Sequence, residues 1–203
     1  MPEPAGHNPA RNSSSGPRSW HKRGYLPHND AGTLIQAITY RLADSLPAEV
    51  LAKLDQELPL LPENTTERRR RIEGYLDAGH GVCWLKRPDI ARIVIDGWRH
   101  FDSKRYQLIE WVIMPNHVHV LVQLVSPFSL STVVHGWKSF SAHLINRALG
   151  RKGAVWQADY WDRFMRDREH LAKTAQYIRE NPVKAGLAAR PEDWPWSSAA
   201  QRA

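Results

Sequence analysis

The chain is poor in cysteine and in long apolar runs. Its single cysteine, Cys83, excludes an intrachain disulfide framework and is typical of a reducing compartment. No stretch approaches the roughly 20 apolar residues that a membrane-spanning helix needs, and residues 1–30 lack the apolar segment of a secretory signal. We therefore expect a cytoplasmic protein without a membrane partner.

The chain also has fewer acidic than basic residues. The chain has 21 Asp and Glu against 28 Lys and Arg, a formal net charge of +7. A surplus of positive charge favours a polyanionic partner, either nucleic acid or an anionic membrane surface. Charge alone does not distinguish these two partners.

Composition divides the chain at about residue 30. Residues 1–30 are rich in Pro, Gly, Ser and Asn and show little apolar periodicity, which predicts a flexible basic N-terminal arm. The remainder, 31–203, is long enough for one well-packed domain.

Periodicity in the remaining chain predicts strands and helices in alternation. β-branched and alternating residues indicate strands, and apolar residues three or four apart indicate helices, the last of them ending near Asn181-Pro182. The tight "MPN" link predicts that the second and third strands form an antiparallel hairpin. The fold class is therefore α+β on an antiparallel sheet. The predicted elements are strands at 33–42, 105–113 and 117–125, and helices at 47–58, 87–101 and from 130 onward.

Two histidines lie one residue apart in the third predicted strand, "HVHVLVQLV". Because side chains alternate along a strand, His117 and His119 share one face, about 6–7 Å apart at Cα, while the valines face the core. That face need not be buried. The spacing suits two ligands of one divalent metal, and it also suits two partly exposed strand histidines. Imidazole binds Mn²⁺ or Zn²⁺ more readily than Mg²⁺.

The last predicted helix carries a tyrosine beside its apolar face. Leu171, Ala175 and Ile178 cluster on one side, and Tyr177 and Asn181 fall on another side roughly 100° away. By periodicity alone, Tyr177 is either an aromatic residue at the edge of the core or a functional group.

Two separated motifs resemble those of a known family. "MPNHVHVLV" and "YIRENPVKAGL", together with "VWQADYWDRFMRD" and the closing "WPWSSA", resemble the REP-associated tyrosine transposases, a group of the His-hydrophobe-His (HUH) single-tyrosine transposases. The resemblance covers roughly 81–198. Residues 1–30 lie outside it, and 47–80 do not align with confidence.

The resemblance implies a fold and a reaction. The fold is the ferredoxin-like or RRM-like antiparallel sheet of HUH endonucleases, with helices packed on it. The reaction is a metal-dependent cut in single-stranded or hairpin DNA, of the REP type, in which Tyr177 forms a 5′-phosphotyrosine and leaves a free 3′-hydroxyl. The metal, Mg²⁺ or Mn²⁺, would be held by His117 and His119. A polar residue one turn after the tyrosine serves as third ligand in such enzymes, which indicates Asn181; the other interpretation of Asn181 is a helix-ending residue before proline.

Several cationic side chains are candidate DNA contacts, although each is equally compatible with a solvated surface. His170 is a candidate acceptor of the Tyr177 proton, and Lys173 a candidate for lowering its pKa. Trp20 and Trp161 are candidates for stacking on unpaired bases, and the basic run Arg68–Arg71 is either a solvated helix face or a nucleic-acid contact. The candidate phosphate partners are Lys138, Arg163, Arg166, Lys173 and Lys184.

Two other functions stay open at this point. One is a metal-dependent phosphodiesterase that uses water, and the other is a non-catalytic module that binds hairpin or single-stranded DNA. We expect a monomer or homodimer in the bacterial cytoplasm, associated with the nucleoid.

Overall fold

The computed structural model describes residues 21–23, 26–28, 34–57 and 66–202. The helices are α1 (Ala48–Glu57), α2 (Thr66–Asp77), α3 (Pro88–Arg99), α4 (Leu130–Ala148) and α5 (Arg168–Lys184). The strands are β1 (His21–Arg23), β2 (Leu26–His28), β3 (Ile35–Arg41), β4 (Tyr106–Ile113), β5 (His117–Leu124) and β6 (Trp161–Phe164). None of the helices in these ranges is long and apolar enough to cross a bilayer.

The central sheet has the strand order β4-β5-β3-β6, and every neighbouring pair is antiparallel. Helix α3 connects β3 to β4 and α4 connects β5 to β6, so the chain follows the ferredoxin-like order βαββαβ. The α+β prediction is confirmed. Helices α1 and α2 are an addition to this order, inserted between β3 and α3.

One face of the sheet holds the main core. The alternate β5 residues Val118, Val120, Val122 and Leu124 are all buried there with the apolar sides of α3 and α4, as their periodicity predicted. The indole and phenol groups of this core are hydrogen-bonded to one another, which meets the requirement that buried polar atoms find partners. The bonds are Trp98 Nε1 to Tyr40 Oη (2.9 Å), Trp137 Nε1 to Tyr106 Oη (2.7 Å) and Tyr106 Oη to the Trp98 carbonyl (2.6 Å).

Helix α5 packs on the opposite face of the sheet. Its apolar residue Ile178 is buried with Val112 of β4 and Leu121 of β5. The helix begins at Asp167, whose side chain accepts a hydrogen bond of 2.7 Å from the His170 amide. A charged contact adds to the packing, because Arg179 donates to the buried carboxylate of Glu110 on β4 at 2.8 Å.

The predicted end of α5 near Asn181-Pro182 is wrong. The helix continues through Pro182 to Lys184, and the chain turns at Gly186 with φ of +69°. Proline removes one backbone donor, and the bonds that follow it are kept: Ala185 donates to the Asn181 carbonyl at 3.0 Å and Leu187 to the Pro182 carbonyl at 2.8 Å. Asn181 is consequently a helical residue with a buried side chain.

Two strand regions were not predicted. Strand β6 has four residues, and its sequence WDRF shows no apolar alternation; pairing with β3 places it, with Trp161 opposite Thr39. Strands β1 and β2 pair within the predicted arm, so residues 21–23 and 26–28 have regular backbone structure. The predicted flexibility of the arm is otherwise untested, and Trp20 lies outside the described residues.

Candidate active site

The two histidines of β5 lie together and are buried. The Nε2 atoms of His117 and His119 are 3.1 Å apart, with 0% and 3% of each residue exposed. The sequence predicted that they share a face, and this is confirmed. The expectation that this face need not be buried is wrong, because α5 brings Tyr177 against His119 and α2 brings Asp77 against His117.

Hydrogen bonds fix the orientation of both imidazoles. Asn116 donates from Nδ2 to the His80 carbonyl at 3.0 Å, so its Oδ1 is available to accept from His117 Nδ1 at 2.8 Å. On the other ring, the Thr39 hydroxyl lies 2.8 Å from His119 Nδ1. Each Nδ1 therefore faces a hydrogen-bonding partner while the two Nε2 atoms face each other, which is how partners behind metal-binding histidines usually orient them.

Burial keeps both rings neutral near pH 7. It lowers the pKa of His119 to about 4 and that of His117 well below its usual value, with His119 adding to the effect on His117. Neutral imidazole is the form that binds metals. The pair is therefore in the ligand-competent state at neutral pH.

The residues present fit a divalent cation. Two ligand atoms about 2.1 Å from one ion lie about 3.0–3.4 Å apart in octahedral or tetrahedral geometry, and the Nε2–Nε2 distance of 3.1 Å falls in that range. Asn181 reaches the same point: its Nδ2 is 3.4 Å from His119 Nε2, and its buried Oδ1 has no hydrogen-bond partner. In the part of the chain that the structure describes, no three His, Cys, Asp or Glu side chains form a metal group on their own. An amide ligand such as Asn181 is consistent with that finding.

Tyr177 lies beside this pair. Its ring centroid is 5.6 Å from that of His119, at an interplanar angle of 79°. Burial raises the pKa of Tyr177 above its usual value, and the nearby carboxylates of Glu73 and Asp77 raise it further, whereas a hydrogen bond with Asn181 opposes the shift. The phenol therefore keeps its proton in this arrangement.

A cleft of about 390 Å³ opens over Tyr177 and His119. Arg163 of β6, together with His170 and Lys173 of α5, lines it, and α2 contributes Arg69. Two of the predicted phosphate partners, Arg163 and Lys173, and the predicted proton acceptor His170 therefore line the same cleft as Tyr177. Trp161 also lines the cleft, and the Arg69 guanidinium lies 5.7 Å from the centre of its ring.

The three other predicted phosphate partners lie at different distances from the cleft. Lys184 Nζ is 5.3 Å from the Tyr177 ring centroid and pairs with Glu180. Arg166 precedes α5, where its backbone amide donates to His170 Nδ1 at 3.4 Å. Lys138 lies on α4 and donates to the carbonyls of Gln157 and Ala158, so it borders a different depression.

Sequence reasoning missed the contribution of α2, because 47–80 did not align with the family. The basic run Arg68–Arg71 was the available signal, and its members have different roles. Arg68 is buried and pairs with Asp55 at 2.7 Å, Arg69 lines the cleft, and the exposed Arg70 and Arg71 pair with Glu67. Neither the solvated-face interpretation nor the contact interpretation covers all four.

Comparison with known proteins agrees with this geometry. The family model "Transposase IS200 like" matches residues 97–181, a span that contains both histidines, Tyr177 and Asn181. A REP-associated tyrosine transposase of Escherichia coli is 28% identical over 96 residues, covering 47% of this chain and 56% of its own. A protein of Haemophilus influenzae described as a REP-associated tyrosine transposase is 30% identical over 103 residues, covering 46% of this chain and 58% of its own.

Over part of its length, this chain is similar to the REP-associated tyrosine transposases. The resemblance first seen in its motifs is therefore confirmed. The aligned region spans a little over half the length of each of these two curated relatives.

The fold has a solved counterpart. The structure of a REP-associated tyrosine transposase bound to a REP hairpin superimposes with a TM-score of 0.54 at 19% identity, covering 89% of this chain and 82% of the other. This likeness confirms the predicted α+β fold class of the chain.

Proposed function

We propose that this protein is a single-strand DNA endonuclease and strand transferase that acts on hairpin DNA through a covalent 5′-phosphotyrosine. The observation that carries the proposal is the contact of Tyr177 with His119 in one chain, where the ring centroids are 5.6 Å apart. Asn181 lies beside them, with its Nδ2 3.4 Å from His119 Nε2. The match of residues 97–181 to a transposase family model and the hairpin bound by the solved counterpart support the choice of reaction and DNA.

The residues of the site have distinct roles in this reaction. The Tyr177 oxygen attacks the phosphorus, the bond from phosphorus to the 3′ oxygen breaks, and the 5′ phosphate stays on the tyrosine. The phenol proton leaves during attack, with His170 at the cleft as a candidate acceptor, and the departing 3′ oxygen takes up a proton. The covalent link retains the energy of the phosphodiester, so a 3′-hydroxyl can reverse the step and rejoin strands.

His117, His119 and Asn181 would hold a divalent ion, Mg²⁺ or Mn²⁺. Such an ion polarises the scissile phosphate and offsets the charge that develops during in-line attack. The chain supplies two neutral imidazoles and, beside them, an amide oxygen without a hydrogen-bond partner. Arg163, Lys173 and Arg69 line the path beside Tyr177 and would contact the phosphates of the strand.

The test is a denaturing gel after incubation with a labelled single-stranded oligonucleotide that contains a palindromic hairpin and Mn²⁺. We expect a protein–DNA adduct with the natural chain and none with Tyr177→Phe, while hairpin binding in a gel shift is kept. Tyr75→Phe, a tyrosine of α2 outside the residues lining the cleft, is the matched control. An adduct that persists in Tyr177→Phe would refute the assignment. Cleavage without an adduct would favour a water-using phosphodiesterase, and binding without cleavage a non-catalytic module.

A further inference from the structure

Asp77, at the end of the inserted helix α2, is the group around the histidines that the proposed reaction does not yet use. Its Oδ1 lies 3.5 Å from His117 Nε2, the same nitrogen that faces His119 Nε2. That oxygen is buried and has no hydrogen-bond partner, although 29% of the side chain as a whole is exposed. A carboxylate oxygen of this kind is usually hydrogen-bonded or bound to a cation.

Asp77 and Asn181 approach the imidazole pair from opposite ends. Asp77 Oδ1 is near His117, and the Asn181 amide, 1% exposed and with its own Oδ1 unpaired, is near His119. Two buried oxygens without a hydrogen-bond partner, one from α2 and one from α5, therefore belong to residues that contact the imidazole pair of β5.

We propose that Asp77 is a fourth protein ligand of the divalent ion, so that the site is an Asp–His–His–Asn set. Its separation of 3.5 Å from His117 Nε2 lies within the span of two ligands on one ion, which is about 3.0 Å for adjacent and about 4.2 Å for opposite positions at bond lengths of about 2.1 Å. Among the described residues, Asp77 and the two histidines do not form a carboxylate–histidine metal group as they stand. The proposal therefore requires the carboxyl group to rotate inward when the ion binds.

The chemistry of the ion favours this assignment. Two neutral imidazoles and one amide carry no net charge, whereas hard cations such as Mg²⁺ and Mn²⁺ prefer charged oxygen ligands. A carboxylate supplies that charge and shifts the selectivity of the site from Zn²⁺ towards the harder ions.

The loop after α2 holds Asp77 in place. Gly81 packs so closely on the end of β3 that a Cβ there would lie 2.5 Å from the Asp44 carbonyl, and its φ is +73°. The next residue, Val82, donates to that same carbonyl at 2.9 Å. The neighbouring His80 carbonyl accepts from Asn116, which in turn bonds His117. The end of α2 and the first histidine are therefore fixed to each other through backbone and amide contacts.

This inference rests on the proposed metal-dependent function and has its own test, Mn²⁺ binding without DNA. Mn²⁺ affinity of the full chain is measured by titration calorimetry and by the loss of the free-ion EPR signal. We expect Asp77→Asn to weaken binding at least about tenfold, within the range known for altered metal surroundings. Asp89→Asn is the matched control, because it makes the same change of side chain at an exposed position in the first turn of α3, where Asp89 pairs with Arg87. We expect it to leave Mn²⁺ binding unchanged.

Two further measurements separate the outcomes. Thermal unfolding in EDTA shows whether Asp77→Asn folds, and the rise in melting temperature on adding Mn²⁺ repeats the comparison by a second route; Asp77→Ser is the replacement if the first variant does not fold. If His119→Ala loses Mn²⁺ and Asp77→Asn keeps it, the fourth-ligand inference is wrong and the proposed function stands. If His119→Ala also keeps it, the metal site of the proposed function is wrong as well.

Discussion

The Tyr177 ring stands almost perpendicular to the His119 ring, with centroids 5.6 Å apart, and both residues belong to the same chain. The proposed nucleophile and the proposed metal-binding pair are therefore neighbours within one chain. This relationship also makes each contact of the site open to test by substitution.

A substitution at Asn181 should separate an effect on stability from an effect on function. Because its buried Oδ1 has no partner, replacement by the similarly sized leucine removes an unsatisfied polar atom from the interior. We expect Asn181→Leu to lower the free energy of unfolding by no more than about 1 kcal/mol, the net value of a single weak hydrogen bond. Urea unfolding measures that quantity.

The same variant should lose its affinity for the metal. Removal of a ligand oxygen should weaken Mn²⁺ binding by at least about tenfold, comparable to the effect of altering the groups behind metal ligands. Unchanged Mn²⁺ affinity in a folded Asn181→Leu protein would exclude Asn181 as a ligand.

Thr39 should act on the metal through His119. Its hydroxyl is 2.8 Å from His119 Nδ1, and Thr39→Val keeps the shape of the side chain while removing that bond. Partners of this kind typically change metal affinity by about 10–100-fold. We predict weaker Mn²⁺ binding in calorimetry, together with a mixture of His119 tautomers in ¹⁵N NMR of the imidazole.

The control for that experiment is Thr132→Val on α4, remote from the site in sequence and bonded to Ser129. It should leave both the Mn²⁺ affinity and the His119 tautomer unchanged. Equal losses in the two variants would mean that the effect is a general one on folding.

Arg163 should contribute to DNA affinity through its charge. It lines the cleft beside Tyr177 on the edge strand β6. If it contacts one phosphate, Arg163→Ala should reduce the slope of log affinity against log salt by about one and weaken binding of all hairpin sequences alike. Fluorescence anisotropy with a labelled hairpin at several salt concentrations gives both quantities.

Lys104→Ala is the matched control for Arg163. Lys104 is exposed and precedes β4, which forms the other edge of the sheet. The salt dependence of this variant should match that of the natural chain. A slope that changes as much for Lys104→Ala would show that binding depends on total charge and not on the cleft.

A substitution in the core beneath the sheet should lower stability without a catalytic effect. Tyr106 donates to the Trp98 carbonyl at 2.6 Å and accepts from Trp137 Nε1 at 2.7 Å, all within the buried core. Tyr106→Phe leaves the Trp137 N–H unpaired, which should cost about 1–3 kcal/mol of unfolding free energy. Urea unfolding measures the loss, and Mn²⁺ affinity measured well below the transition should stay the same. A loss below about 0.5 kcal/mol would mean that water or another group replaces the hydroxyl.

Local periodicity determined a large part of this protein. Strand alternation put His117 and His119 on one face and the valines on the other, and helical periodicity put Tyr177 and Asn181 together beside the apolar face of α5. These relations depend only on the geometry of one element, so a sequence is sufficient to predict them. The motifs indicated the resemblance to the transposases in the same way, because each is a short stretch of sequence.

Only the tertiary structure decided which faces meet. Because α5 packs on the sheet, the two histidines are buried and His119 contacts Tyr177. The inserted α2 brings Asp77 to His117 and Arg69 to the cleft. Strand β6 formed from WDRF because β3 offered it a partner, not because of its own pattern. Such contacts join residues far apart in the chain, and their free energy depends on the whole arrangement of elements. No local period of the sequence encodes them.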